Sequence, residues 1–314
     1  MAWRRLGRVF APSAPRGSAG GNAGGSPTAD PALASHAALP VAYPLGGDLV
    51  RVFFSGRDAA NRSSIGSLVL RVGETPRVEE APAAPLLRPG GTGAFDDAGC
   101  SMGCVVPGRD GDRLYYMGWN LGGSMPWRNA IGIAVGDAAA GRFERLSAGP
   151  VMDRDMTDPY SLSYPWVLRL ADDDWRLWYG THLAWGAATA DLRHGIRAAR
   201  STDGIAWRRD AAIGIPPEGQ EIATVRPSVV RDGDGFAMWF AARTATGPYG
   251  IGRATSADGL AWHRLPGGIE AEAGGWEAGA VTYPGVFDLL GRRWMLFNGA
   301  GYGATGFGLA VWEG

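Results

Sequence analysis

The chain has 314 residues, a net charge of −1, 46% hydrophobic residues, and only arginine among its 30 basic residues. The hydrophobic content is that of a packed globule, and the balanced charge excludes a general attraction to nucleic acid or to an anionic membrane. The absence of lysine excludes a lysine Schiff base and a P-loop lysine. Because no apolar run has the length of a membrane span or of a signal peptide, we expect a cytoplasmic protein with neither nucleic-acid nor membrane partners.

The N-terminal segment, residues 1–11, is predicted to be a strand that belongs to the end of the fold. Its Ala2-Trp3-Arg-Arg resembles two later segments, Ala206-Trp207-Arg-Arg and Ala261-Trp262-His-Arg, each of which is the outer strand of a repeat. We therefore expect residues 1–11 to supply the outer strand of the last repeat and to close a ring. Residues 12–34 are rich in Gly, Ala, Ser and Pro, which predicts a flexible connection into the first repeat.

A motif of an acid followed by proline and valine recurs at near-equal spacing through the rest of the chain. Self-similarity at a fixed period is the signature of a repeat architecture. Three copies are complete, one lacks the acid and one lacks the proline. In chain order the copies are Ser35–Ala42 without the acid, Asp97–Val106 without the proline, Asp158–Leu168, Glu221–Val230 and Glu277–Phe287.

Each copy of the motif is followed by further predicted strands. Alternating aromatic and aliphatic residues predict a second strand in every repeat; these segments are Val50–Ser55, Arg113–Gly118, Trp175–Gly180, Phe236–Ala241 and Trp294–Asn298. A third strand with an Ile-Gly or Phe-Gly start follows in each repeat; these segments are Ser64–Leu68, Ala130–Ala134, Gly195–Ala199, Gly250–Ala254 and Gly306–Ala310. Ser-x-Asp203-Gly and Ser-x-Asp258-Gly predict tight turns into a fourth strand, with no catalytic role for either aspartate.

Four strands in each of five repeats predict an all-β fold, a five-bladed β-propeller of four-stranded blades closed by the N-terminal strand. The whole chain, residues 1–314, is then a single domain. The two cysteines, Cys100 and Cys104, are too far apart along an extended strand for a disulfide bond. No histidine spacing matches a zinc site, so we predict no metal and no cofactor, although a calcium ion or water on the propeller axis stays open.

The repeated acids are the first candidates for chemistry. Asp97, Asp158 and Glu221, with Glu277, precede the innermost strands, so a closed ring predicts that they meet in one central pocket; Asp96 is an alternative to Asp97. Neighbouring carboxylates raise one another's pKa, and a protonated one can act as a general acid on a glycosidic bond. The alternative is structural, with each acid capping a strand or pairing with an arginine. His36 stands near the blade-one start, where the acid is missing, and is a further catalytic candidate.

Other residues are candidates for substrate binding because they lie on the inner strands or in the loops between second and third strands. Aromatic faces suit sugar stacking, and arginine forks suit hydroxyls or anions. The alternative for the tryptophans is packing between strands. The candidates are Glu277, Arg226, Tyr164, Tyr283, Trp119, Trp127, Arg128 and Trp185.

Asp158-Pro159, the downstream Glu221, and the Ser-x-Asp-Gly-x-x-Trp turns give this chain a resemblance to a known superfamily. The whole repeat pattern resembles the five-bladed propellers of glycoside hydrolase families 32, 43, 62, 68 and 130. The resemblance implies that Glu221 is a general acid and that Asp158 positions the substrate. This chain lacks the aspartate that the superfamily has in blade one, which disfavours a retaining mechanism and favours an inverting hydrolase or a phosphorylase.

Three functions are compatible with these observations. The first is a carbohydrate-active enzyme that cleaves a glycosidic bond of a small-molecule or oligosaccharide substrate, with Glu221 as proton donor. The second is a non-hydrolytic biosynthetic enzyme acting on a small or sugar-derived metabolite. The third is a sugar-binding propeller without catalysis, because a fold by itself does not fix a function.

Overall fold

The computed structural model describes residues 2–12, 30–186 and 192–314. Within these residues the strands form five antiparallel units of four strands each, which we call blades one to five. Blade one contains β2 (Ser35–Gly46), β3 (Leu49–Arg57), β4 (Ser63–Arg71) and β5 (Arg77–Glu80). Blade two contains β6 (Gly99–Val106), β7 (Asp112–Asn120), β8 (Arg128–Asp137) and β9 (Arg142–Arg145).

Blades three to five repeat this arrangement from the inner strand to the outer strand. Blade three contains β10 (Leu162–Ala171), β11 (Asp174–Ala184), β12 (Arg193–Ser201) and β13 (Arg208–Ile215). Blade four contains β14 (Glu221–Asp232), β15 (Gly235–Thr244), β16 (Gly250–Ser256) and β17 (His263–Ile269). Blade five contains β18 (Thr282–Leu289), β19 (Arg292–Asn298), β20 (Phe307–Glu313) and, as its outer strand, β1 (Ala2–Phe10).

The N-terminal strand closes blade five, as the sequence predicts. Strand β1 pairs antiparallel with β20, with Trp3 opposite Trp312. The Trp3 ring packs edge-on against Trp312 at 5.0 Å and against Trp239 of blade four at 5.5 Å. The closure therefore joins the first residues of the chain to the core of the last two blades.

The connection predicted over residues 12–34 lies mostly outside the described residues, which resume at Asp30. From there Pro31–Leu33 form a single turn of 3-10 helix, and Asp30 accepts a hydrogen bond from the Ala32 amide at 2.9 Å. Leu33 is fully buried against Phe54 in the core of blade one. Two further 3-10 turns, Gly275–Glu277 and Gly301–Gly303, occur on the blade-five side.

The residue before the shared proline has the same special backbone in four blades. Leu39, Tyr164, Arg226 and Tyr283 have φ of 58°, 52°, 54° and 54°, and their strands shift register at these points. A left-handed backbone costs an ordinary residue about 1 kcal/mol, and the register shift marks a β-bulge. The proline motif therefore encodes a bulge in each of these inner strands.

In blade two Gly103 takes the place of the shared proline, and only glycine fits at this position. A Cβ atom on Gly103 would lie 2.4 Å from the Tyr115 carbonyl oxygen and 2.7 Å from the Pro165 side chain. The inner strand of blade two is thus in close contact with blade three, which explains why the motif loses its proline in this one copy.

The Ser-x-Asp-Gly segments form tight turns, as the sequence predicts. Asp203 accepts hydrogen bonds from the amides of Ile205 and Ala206 at 2.8 and 2.9 Å. Blade two contacts this turn, because the Tyr115 hydroxyl donates a hydrogen bond to the Gly204 carbonyl at 2.8 Å. No helix among the described residues is long and apolar enough to cross a membrane.

Candidate functional site

Asp158, the predicted positioning residue, is completely buried within blade three. Its two carboxylate oxygens accept hydrogen bonds from the Tyr179 hydroxyl at 2.7 Å and from Thr181 Oγ1 at 2.6 Å. They also accept from Arg197 Nε at 3.0 Å and from Arg209 Nη1 at 2.9 Å. Arg209 belongs to β13, so this carboxylate connects the segment before the inner strand to the outer strand of the same blade.

The equivalent acid of blade two is Asp96, whereas the sequence analysis selected its neighbour Asp97. Asp96 is 1% exposed and accepts from the Tyr116 hydroxyl at 3.1 Å and from Arg145 Nε at 2.9 Å. Asp97 instead accepts from the Gly93 amide at 2.9 Å within a surface turn. Because two acids are consecutive, the sequence does not determine which of them is equivalent to Asp158. The hydrogen bond from Arg145 identifies Asp96 as the equivalent residue.

Glu221 and Glu277 have the same kind of partner in blades four and five. Arg264 Nη1 donates to both oxygens of Glu221, at 3.0 and 2.9 Å. Arg5 Nε donates to Glu277 at 3.1 Å. Burial raises the pKa of Glu277, and the positive charge of Arg5 opposes that rise.

All four arginines occupy one position of the outer strand. Each follows an aromatic residue by two positions and faces an alanine of the third strand. The segments are Phe143-Glu-Arg145, Trp207-Arg-Arg209, Trp262-His-Arg264 and Trp3-Arg-Arg5, opposite Ala134, Ala199, Ala254 and Ala310. We call each acid with its arginine a carboxylate–arginine latch, because it joins the entry of a blade to its outer strand.

Blade one lacks both halves of the latch. Leu33 stands in the register of the acid, six residues before Leu39, and packs on Phe54, the counterpart of Tyr179. The outer strand of blade one reads Val78-Glu-Glu80, with no arginine two residues after Val78. Acid and arginine are present together or absent together in the five blades, which favours the structural alternative for the repeated acid.

That the acids share one central pocket stays a prediction, and their hydrogen bonds favour the structural alternative. Asp158, Glu221 and Glu277 each accept from an arginine of their own blade, and within the described residues none of the four predicted acids contacts another. His36 does not stand in the acid register, which Leu33 occupies. The His36 ring approaches Ser35 Oγ at 3.1 Å, and burial, then the charge of Arg57, lowers the pKa of His36.

The propeller axis is occupied by inner-strand side chains rather than by carboxylates. Arg226 of blade four is fully buried and donates Nη1 to the Gly103 carbonyl of blade two at 2.8 Å, across the axis. Its guanidinium lies 5.3 Å from the Trp166 ring, and burial lowers the pKa of Arg226 to about 10. A guanidinium in this place opposes an axial calcium ion by charge repulsion.

Beside Arg226, two tyrosines from non-adjacent blades meet. The Tyr164 and Tyr283 hydroxyls are 3.4 Å apart, and their ring centroids are 5.6 Å apart. Burial raises the pKa of both phenols. The two neutral hydroxyls therefore lie side by side. Tyr164 and Tyr283, both with a left-handed backbone, are residues that the sequence predicts for substrate binding.

Aromatic and basic side chains lie along the face on which the inner strands begin, in two series of ring contacts. One series ends at His194 and the other at Arg243, and both of these residues are opposite Ala223 in the strand register. We call the two series together the mouth arc, and its members are Trp127, Trp185, His182, His194, Arg243, Tyr249, Tyr302, Tyr283 and Tyr164. No residue of the mouth arc carries a carboxylate. The predicted binding residues Trp127 and Trp185 are members, and Arg128 follows Trp127 directly in the chain.

The first half of the mouth arc joins blades two, three and four. The ring centroids of Trp127 and Trp185 are 5.5 Å apart, Trp185 lies 5.0 Å from His182, and His182 lies 4.1 Å from His194. Burial lowers the pKa of His194 to about 4, and the charge of Arg243 adds to this effect. Both imidazoles are thus neutral near pH 7, since burial also holds the pKa of His182 well below its usual value.

The second half of the mouth arc returns to the axis through blade five. The guanidinium of Arg243 lies 5.4 Å from the Tyr249 ring, and Tyr249 lies 6.1 Å from Tyr302. Tyr302 lies 6.3 Å from Tyr283, which contacts Tyr164. Tyr302 is 51% exposed and has a φ of 55°, so a strained backbone holds an open aromatic ring beside the buried pair.

The predicted site residues do not include several members of the mouth arc, above all His182, His194 and Tyr249. They stand at the ends of second and third strands or in a loop, so their proximity depends on packing between blades. Trp119, by contrast, is not a member: its Nε1 donates to Ser63 Oγ at 2.7 Å, across the junction of blades one and two. That contact favours the packing alternative for Trp119.

Grooves are present on blades three and four. A groove of about 320 Å³ on blade four is lined by Glu221, Arg243, Arg264 and Glu270, among others. A larger one of about 660 Å³ at blade three is lined by both acids and arginines and by none of the predicted site residues. Among the described residues, no group of three or more His, Cys, Asp or Glu side chains could hold a metal ion.

The cysteines are unpaired and buried, as the sequence predicts for a chain without a disulfide. Burial raises the pKa of the Cys100 and Cys104 thiols to about 12. Because the thiolate is the reactive form of cysteine, neither side chain is suited to nucleophilic or metal chemistry.

The fold is shared with solved structures of carbohydrate-active proteins. A structure described as "Glycoside hydrolase" matches with a TM-score of 0.73 and 14% identity, covering 99% of this chain and 91% of that one. A thermostable family-43 glycoside hydrolase matches with a TM-score of 0.67 and 13% identity, covering 88% and 89%. A structure titled for the GH130 family of mannoside phosphorylases matches with a TM-score of 0.66 and 13% identity, covering 89% and 84%.

These likenesses show the fold, the β-propeller of the glycoside hydrolases. No family model matches the chain. Two proteins of Mycobacterium tuberculosis are similar over their full length: "Uncharacterized protein Rv1502" of strain H37Rv and "Uncharacterized protein MT1551" of strain CDC 1551 / Oshkosh. Each is 46% identical to this chain over 316 residues, covering 100% of both partners. The chain therefore belongs to the same protein family as Rv1502 of Mycobacterium tuberculosis.

Proposed function

We propose that this protein binds a small carbohydrate or a sugar-derived metabolite on the mouth arc. The observation that carries the proposal is the concentration of aromatic and basic side chains on one face of the propeller, from Trp127 to Tyr164. The exposed ring of Tyr302 and the half-buried rings of Trp127 and Trp185 offer stacking surfaces to sugar C–H groups, and tyrosine hydroxyls offer hydrogen bonds. The likeness of the fold to propellers of glycoside hydrolases supports a sugar as the ligand.

The latches argue against hydrolysis by a pair of carboxylates. A glycosidase needs two carboxyl groups facing one bond, with room for substrate between them. Asp158 is completely buried and accepts hydrogen bonds from four donors, and Glu277 is 4% exposed and paired with Arg5. The arrangement favours binding, or non-hydrolytic chemistry on a bound metabolite, over the hydrolase that the resemblance implies.

Tryptophan fluorescence of the wild-type protein tests the proposal against a panel of neutral and charged mono- and disaccharides. We expect at least one of them to change the emission and Trp185→Ala to weaken binding by about tenfold or more, because buried aromatic contacts dominate such interfaces. Trp207→Ala is the matched control, since Trp207 is half-buried in the blade-three turn outside the mouth arc. Equal binding by Trp185→Ala and wild type would contradict the proposal.

Acid–base chemistry at Glu221 is a second candidate, supported by one observation. Glu221 is the predicted acid that borders a groove, and its side chain remains 22% exposed beside Arg264. If the protein is a hydrolase, wild type should release reducing sugar from a member of the same panel and Glu221→Gln should not. Absence of release by wild type over the whole panel would eliminate this candidate and leave the binding proposal standing.

A further inference from the structure

The mouth arc contains a concentration of buried hydrogen-bonding atoms that lack a partner. Fifteen buried side-chain nitrogen or oxygen atoms have no hydrogen-bond partner among the residues that the structure describes. Five of them belong to the mouth arc or to its neighbour Arg128: Arg128 Nε, His182 Nδ1, Trp185 Nε1, His194 Nδ1 and Arg243 Nε. Buried polar groups are nearly always paired in native proteins, so such a cluster indicates a missing partner.

The chemistry of these atoms restricts what the partner can be. Arginine Nε and tryptophan Nε1 only donate, and a neutral imidazole can turn an N–H toward the site by choice of tautomer. A sugar hydroxyl both donates and accepts, whereas phosphate, sulfate and carboxylate oxygens only accept. A cluster made mainly of donors therefore fits an anionic group better than a neutral one.

The local charges agree with an anionic partner. Arg243 forms no ion pair in the described part of the chain, and it is stacked on Tyr249 rather than neutralised. Glu221 and Glu270 line the same groove as Arg243, and neither forms an ion pair with it among the described residues. Glu221 is held by Arg264, so its charge is already compensated and does not satisfy Arg243.

We propose that the mouth arc binds the anionic group of its ligand, a phosphate, sulfate or carboxylate on a sugar-derived molecule, between His182, His194 and Arg243. This inference rests on the proposed function and specifies its ligand class. The aromatic members of the mouth arc contact the sugar, and Arg243 supplies the charge that its anionic group requires. His182 is 2% exposed, so its imidazole is held in place before the ligand arrives.

Titration calorimetry with defined probes tests this inference. The probes are inorganic phosphate, inorganic sulfate, a hexose 6-phosphate, a hexuronate and the neutral methyl hexoside, at constant ionic strength. We expect the charged sugars to bind more tightly than the methyl hexoside, and the inorganic anions to compete with them. Arg243→Met should weaken the charged probes by about tenfold or more, because hydrogen bonds to charged groups carry more free energy than neutral ones.

The control is Arg231→Met, which removes an arginine stacked on Phe236 in the same blade but outside the mouth arc. Arg243→Lys keeps the charge and should retain part of the affinity, which separates loss of binding from loss of folding. Equal affinity of wild type and Arg243→Met for every anion would overturn the inference. Binding of the neutral hexoside with no gain from an anionic group would also overturn it while leaving the proposed function intact, and binding of no probe would overturn both.

Discussion

At the scale of single residues, the position six residues before the inner-strand bulge is acidic only where the blade supplies an arginine partner. Asp158 and Leu33 occupy equivalent places, six residues before the inner-strand bulge. Asp158 is completely buried, which is tolerable for a carboxylate only because Arg197 and Arg209 surround it. Blade one has no outer-strand arginine to compensate a buried acid, and there an apolar side chain fills the same space.

The histidine pair of the mouth arc predicts a pH-dependent stability. Burial lowers the pKa of His194 to about 4 and holds that of His182 well below 6.5, so the unfolded chain binds protons that the folded chain does not. The stability is present above pH 6.5 and is lost as the pH falls through this window. For His194 alone, the free energy of unfolding should decrease by about 2 kcal/mol between pH 7 and pH 5.

Urea unfolding of wild type and His194→Gln at pH 7, 6 and 5 measures this effect. The variant should lose less stability on acidification than wild type, because Gln does not titrate. His263→Gln is the control, since His263 lies exposed on the outer strand of blade four. Identical pH slopes for wild type and His194→Gln would contradict a buried neutral imidazole.

At the scale of elements, the latch explains why an outer strand stays attached to its blade. Outer strands such as β9, with the bounds Arg142–Arg145, are short and have only one neighbouring strand within the blade. Their arginine reaches across the blade to a carboxylate that precedes the inner strand, as Arg145 does with Asp96. The latch thereby links the outer strand to the segment before the inner strand. The hydrogen bonds between neighbouring strands do not make this link.

Asp158→Asn should reduce the free energy of unfolding by about 3–5 kcal/mol, because it leaves the buried Arg197 without its counter-charge and removes one of the two acids that pair with Arg209. Urea unfolding monitored by far-UV circular dichroism gives the value. Asp155→Asn is the matched control: Asp155 also pairs with Arg209, but its side chain is 46% exposed, so a change within about 1 kcal/mol is expected. Wild-type stability of Asp158→Asn, combined with lost ligand binding, would instead establish a functional role for Asp158.

At the scale of the whole molecule, closure of the ring joins the two ends of the chain. Trp3 is 7% exposed and packs on Trp312 of its own blade and on Trp239 of blade four. Closure removes the free edge that β20 would otherwise present to other chains.

Trp3→Ala should reduce the free energy of unfolding by about 3–5 kcal/mol, as expected for removing a buried aromatic side chain. Deletion of residues 2–10 should have a larger effect and promote association through the uncovered edge of β20. Arg4→Ala is the control, since Arg4 forms only surface ion pairs with Glu74 and Glu313. A deletion variant that remains monomeric and as stable as wild type would disprove the role of closure.

The fold followed from local patterns, and the site did not. Period-two aromatic strands, the X-Pro bulges and the match of Trp3-Arg-Arg to Trp207-Arg-Arg and Trp262-His-Arg are properties of short segments, which sequence alone displays. The aromatic-x-Arg signal of the latch was equally visible. It was not connected with the acids because the two halves of a latch are separated by three strands.

What only the tertiary structure decided was where each side chain points and what it meets. The repeated acids turn into their own blades because the outer-strand arginines lie there, and the axis is left to Arg226 and the paired Tyr164 and Tyr283. His182 and His194 are in contact, and His194 and Arg243 lie on either side of Ala223 in the sheet. These residues belong to three strands of two blades, and no short-range sequence pattern predicts their arrangement. Repetition in a sequence determines that equivalent positions exist, whereas packing between the repeats determines which of them share a space.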